Sequence, residues 1–161
     1  MAPNGRRFES VWDYPRPPAL LASERPVLVR FGGETVAASD RAWRVLETAS
    51  PPTVYVPVAD VRMDLLERRP ERGTMCVWKG RATYFDLVVG GRRSELAAWT
   101  YLDPTRRFRE LAEAVCFYPG RVDECLLGDE PVAAQPGRFY GGWMTAEIEG
   151  PVKGEPGTEG W

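Results

Sequence analysis

Three times along this chain a strand-like run meets two glycines, or a glycine and an aspartate, and continues as a second run. Residues 27–31 (VLVRF) pass through Gly32-Gly33 into 34–38, and residues 85–89 (FDLVV) pass through Gly90-Gly91 into 92–96. Residues 121–127 pass through Gly128-Asp129 towards Val132. Two-residue hairpin loops need positive φ, which glycine supplies without steric cost. Each pair therefore predicts two antiparallel strands joined tightly, and the chain is committed to local β-pairing early. Further strand-like runs stand at 53–56, 83–89, 97–101 and 115–118.

Three short helices are predicted between the strands. The first starts at Ser39 as N-cap, with Ala42, Val45, Leu46 and Ala49 on one face. The second follows Pro57 and carries Val58, Val61 and Leu65. The third follows Asp103-Pro104, starts at Thr105 and carries Phe108, Leu111, Ala112 and Val115. No strand–helix–strand rhythm appears, and neither GxGxxG nor GxxxxGK[ST] occurs, so a dinucleotide or P-loop fold is not expected. The fold class is mainly β (α+β), with antiparallel sheets and a few short helices. The length of 161 residues suits one domain. Residues 1–7 and the Gly-, Pro- and Glu-rich segment 147–161 read as disordered, leaving 8–146 as the domain.

Composition narrows the chemistry. Histidine is absent from the sequence, which removes Ser-His-Asp and Cys-His nucleophile systems and histidine ligands to zinc or haem. Cys76, Cys116 and Cys125 form no CxxC pair, so neither a disulfide framework nor a zinc site is expected, and no cofactor is assigned. The net charge of −2 gives no global basic field for nucleic acid or anionic lipid. Residues 1–7 carry no apolar leader and no run is long enough to span a bilayer, so the expected place is the cytoplasm. A monomer or homodimer with a small-molecule partner is the simplest expectation. Of 21 basic residues 19 are arginine, and only Lys79 and Lys153 are lysine. We read that excess as a GC-rich genome's composition and a solvated surface.

A series of short segments carries a resemblance. They are ESVWDYPRPP at 9–18, FGGE at 31–34, RVLE at 44–47, Pro57 with DVRMDLL at 60–66, and CVWKG at 76–80. AWTY at 98–101, FYP at 117–119 and FYGGW at 139–143 complete it. In order and spacing the series resembles the domain-of-unknown-function 427 family (DUF427), which is mostly bacterial. The resemblance implies a β-tent-type fold, with antiparallel sheets leaning together over a pocket that in related folds takes small ligands or peptides. The four-cysteine zinc site of many β-tent proteins does not carry over, because its cysteines are missing. The nucleotidyltransferase-like label of some members needs a Gly-Ser and Asp-x-Asp arrangement that is also missing.

Five residues are candidates for ligand binding: Arg62, Lys79, Tyr84, Trp99 and Tyr101. Arg62 borders the apolar stripe of its predicted helix and suits a carboxylate or phosphate. Trp99 and Tyr101 share a strand face, as do Tyr84 and Asp86. Trp78, Tyr140 and Trp143 lie in glycine-containing segments that suit a pocket mouth. Arg62 and Trp99 are expected in one cleft, with Arg138 outside it. Two alternatives are enzymatic. Cys76 and Lys79 have a nucleophile–base spacing, but the flanks suggest an extended or turn segment, and on a strand i and i+3 point to opposite faces, so Cys76 reads as packing. Asp60 and Asp64 are spaced to share a metal on a helix, although both fall away from its apolar face. A third alternative is a protein-interaction module docking through the aromatic loop 139–143.

Overall fold

The computed structural model describes residues 1–76, 78–137, 139–158 and 160–161. Val77 of the CVWKG segment and Arg138 lie outside the described residues. The fold is mainly β with a few short helices. Seven strands form one antiparallel sheet in the order Ala19–Ala22, Trp43–Leu46, Thr53–Pro57, Ala114–Phe117, Arg92–Tyr101, Gly80–Val89, Leu66–Cys76. Four more form a second antiparallel sheet in the order Glu130–Pro131, Glu124–Leu127, Val27–Phe31, Glu34–Ser39. The predicted hairpins are present. In the first, Gly32 and Gly33 hold φ of 60° and 82°, the left-handed geometry that a tight turn demands.

Both faces of the larger sheet are covered. Val54, Val56, Phe85, Ala98, Val115 and Phe117 point to one face and meet Val27, Val29, Phe31 and Leu127 of the smaller sheet. Their chain neighbours Tyr55, Tyr84, Trp99, Cys116 and Tyr118 point to the other, against Phe108 and Leu111. The period of two sends the tyrosines and Trp99 to one side and the aliphatics with Phe85 and Phe117 to the other. Burying each large side chain contributes about 1.5–3 kcal/mol.

The helices differ most from expectation. Ser39 ends a strand rather than capping a helix, and Val45 and Leu46 sit in the strand Trp43–Leu46. Apolar residues at i, i+3 and i+4 also arise in a strand buried on both faces, which explains the misreading. The segment after Pro57 makes two single 3-10 turns, Val58–Asp60 and Met63–Leu65, because Val61 between them is extended and bridges Ala37. Val58, Val61 and Leu65 still pack on the core. The third helix is present as the 3-10 segment Arg106–Glu113, kinked at Phe108, and the Thr105 side chain makes no cap bond.

The chain ends are packed rather than disordered. Ile148–Glu149 pairs in parallel with Glu9–Ser10. Ile148 and Val152 are buried with Val11, Tyr14 and Leu46. Glu147 is buried and accepts hydrogen bonds from Arg25 (2.6 Å) and Asn4 (3.1 Å). A segment without apolar periodicity is held by a few specific contacts, which periodicity cannot reveal. Among the described residues no helix is long and apolar enough to cross a membrane.

Candidate functional site

The aromatic face of the larger sheet is built around one lateral row. Register sets Trp43 opposite Tyr55, Tyr55 opposite Cys116, Cys116 opposite Trp99, and Trp99 opposite Tyr84. Directly opposed side chains stand close enough to touch. The small thiol in mid-row lets its neighbours meet across it. Trp99 Nε1–H donates to the Tyr55 hydroxyl at 3.1 Å, with the two rings edge-on at 6.1 Å. Tyr118 stacks at a tilt on Trp99, 4.7 Å between ring centres, and Tyr101 lies 6.3 Å from Tyr55.

These rings open into a cavity of about 260 Å³. Lys79, Tyr84, Trp99 and Tyr101 line it, so four of the five ligand-binding candidates converge there. Arg62 does not. Its side chain is 51% exposed and is paired with Asp64 at 2.8 Å. Because its helix is only two 3-10 turns, nothing folds the guanidinium inward. Asp60 is bonded to Arg41 (2.9 Å) and Ser39 (2.6 Å), so each aspartate of the metal alternative holds an arginine instead. Among the described residues no three His, Cys, Asp or Glu side chains gather as a metal site does.

Cys76 ends one strand, Gly80 begins the next, and the two are paired. Trp78 and Lys79 stand in a turn between the two strands, and Cys76 and Lys79 both reach the cavity instead of opposite faces. Gly80 has φ of 107°, and a Cβ there would press the Asp103 carbonyl, so the turn requires glycine. Thr105 Oγ1 donates to the Trp78 carbonyl and its N–H to that of Lys79, which ties the turn down. Lys79 is only 8% exposed. Its Nζ stands 6.0 Å from the Tyr101 ring centre, a cation–π distance.

Tyr84 and Asp86 share a face, since Phe85 and Leu87 both point into the other core cluster, but only Tyr84 reaches the cavity. A bulge follows Phe85, where the register with the neighbouring strand shifts, and Leu96 takes a φ of 50°. Tyr84 stays on the cavity, while Asp86 accepts bonds from Arg93 (2.7 Å), Arg69 (2.9 Å) and the Leu96 N–H (2.8 Å). Burial pushes this carboxyl upward, but those donors outweigh it and hold Asp86 below the usual carboxylate range.

Sequence reasoning missed Tyr55, Tyr118, Gln135 and Lys153, which also line the cavity. Tyr55 was legible in the alternation Val54-Tyr55-Val56. The others come from segments whose placement is a tertiary matter. Gln135 is the brace of the wall, since its Oε1 accepts from Gly142 N–H (2.9 Å) and its Nε2 donates to the Lys153 carbonyl (2.7 Å). Gly141 lies flat on Trp99, and a Cβ there would overlap the indole. Tyr140 reaches the rim, but Trp143 is in the main core, donating to the Phe117 carbonyl, and Trp78 is partly exposed and outside the lining.

Burial pushes the phenols of Tyr55, Tyr101 and Tyr118 and the Cys116 thiol above their ordinary values. At neutral pH they stay protonated, and the wall presents neutral O–H groups.

A family model described as a domain of unknown function (DUF427) matches residues 19–128. The chain belongs to the DUF427 family. No curated protein matches it. The matched stretch contains Lys79, Tyr84, Trp99 and Tyr101, whereas Gln135 and Lys153 lie beyond it.

Proposed function

We propose that this DUF427 chain is a non-enzymatic domain that binds a small molecule in the Lys79 cavity. The observation that carries the reading is Lys79 itself. It is 8% exposed and lines an aromatic cavity, and its side chain has no hydrogen-bonding or ion-pair partner among the described residues beyond the Tyr101 ring. Lysine is seldom buried without a partner, because desolvating its charge is costly. A concave, mainly apolar site with a few converging polar groups is what small-ligand sites look like. The β-tent relationship implied by the resemblance supports the same reading. So does the cytoplasmic setting expected from the sequence, with the chain a monomer or homodimer. Native mass spectrometry of wild type and Lys79→Met tests it. Wild type is expected to carry a noncovalent adduct, or to acquire one from a metabolite extract, that Lys79→Met lacks. Identical spectra would count against the reading.

One observation favours a second reading, an enzyme, since the hairpin turn brings Cys76 and Lys79 to one cavity. A turnover abolished by Cys76→Ser with the fold intact would establish it.

A further inference from the structure

We propose that the cavity takes a small organic anion, with its carboxylate or equivalent group set against Lys79 Nζ and its flat body against Trp99. This rests on reading the cavity as a ligand site and adds the sign of the ligand's charge.

The first support is how the fold treats its other buried charges. Among the described residues three charged side chains are buried: Lys79, Asp86 and Glu147. Glu147 meets Arg25 at 2.6 Å, and Asp86 meets Arg93 and Arg69 at 2.7 and 2.9 Å. Lys79 alone of the three has no opposite charge within ion-pair distance. An anionic ligand would supply it.

The second is where lysine occurs. Nineteen of 21 basic residues are arginine, yet both lysines line this one cavity. A guanidinium is a wide planar fork, while an ammonium is a compact charge that leaves room beside it for a ligand.

The third is the wall. The Tyr101 hydroxyl lines the cavity as a neutral O–H that can donate to an oxyanion, whereas that of Tyr118 is already given to the Phe139 carbonyl at 3.2 Å. Glu47 is the only carboxylate among the lining residues, and it forms no ion pair with either lysine among the described residues. It is the one group that could reverse the preference in favour of a cation.

The test uses benzoate, benzamide and benzylamine, with the three matching naphthalene compounds, in saturation-transfer NMR against wild type and Lys79→Met. The expected result is that the carboxylates bind wild type roughly tenfold or more tighter than their amides. Lys79→Met should erase that difference while Tyr84 and Trp99 keep a weak neutral affinity. If amides or amines bind as well as acids, and Lys79→Met changes nothing, the charge assignment falls and the ligand-site reading stands. If none of the six binds at millimolar concentration, both fall. Circular dichroism of Lys79→Met confirms that lost binding is not lost fold.

Discussion

The Nζ of Lys79 stands 6.0 Å from the centre of the Tyr101 ring and meets no carboxylate among the described residues. The pairing sets a cation against the aromatic wall of the cavity. The ammonium faces the cavity with no protein counter-ion among the described residues, and a bound anion would supply one and stabilise the fold by mass action.

Lys79→Met should fold at least as stably as wild type. Methionine has similar reach, fills the slot and removes the uncompensated charge. The melting temperature is expected to stay level or rise in the absence of ligand. A marked fall would mean that Lys79 serves the fold and not a ligand.

Trp99→Phe removes the indole N–H that Tyr55 accepts and thins the wall. A cost of about 1–2 kcal/mol in denaturant unfolding is expected, with weaker ligand retention. Unchanged retention would move the ligand away from this ring.

Arg62→Ala should change neither melting temperature nor binding. Its ion pair with Asp64 is on the surface, and such pairs contribute little. This reverses what the sequence suggested. Arg62 bordered an apolar stripe, and a helix would have turned it toward the interior. Two 3-10 turns separated by an extended Val61 bury the stripe without the helix.

The contrast shows what a sequence of this kind encodes locally. Hairpins were legible because Gly-Gly pairs fix backbone geometry within a few residues. Trp99 and Tyr101 were legible because strand alternation sets their face. For Cys76 and Lys79 the flanks allow an extended or a turn segment, and only the strand would send them to opposite faces; strand pairing across the turn decides it. Gln135 and Lys153 carried no local signal at all, and their roles depend on bonds to residues distant in the chain. The ends were read as disordered because a handful of buried anchors, such as Glu147 and Val152, leaves no period.

Gly141→Ala should disturb the cavity from its loop side. The added methyl overlaps the Trp99 ring, so either the loop lifts or the indole rotates. A stability loss of about 1–3 kcal/mol is expected, as for other overpacked sites, with a shifted tryptophan emission. A silent substitution would show that the loop is not seated on Trp99.

Asp86 gives the pH prediction. Its pKa in the folded chain is lowered, so its stabilisation is fully present above the unfolded value of about 4 and is lost as pH falls through the folded value. Asp86→Asn should cost about 1–2 kcal/mol at neutral pH. The gap between wild type and variant should hold constant down to about pH 4 and shrink below it. A gap that widens in acid would contradict the assignment.

A crystal structure of the protein soaked in 1-naphthoate should show a naphthyl ring against Trp99, with its carboxylate within hydrogen-bond distance of Lys79 Nζ. Naphthoate ordered at another surface, with the Lys79 cavity holding only water, would contradict an anion site at Lys79.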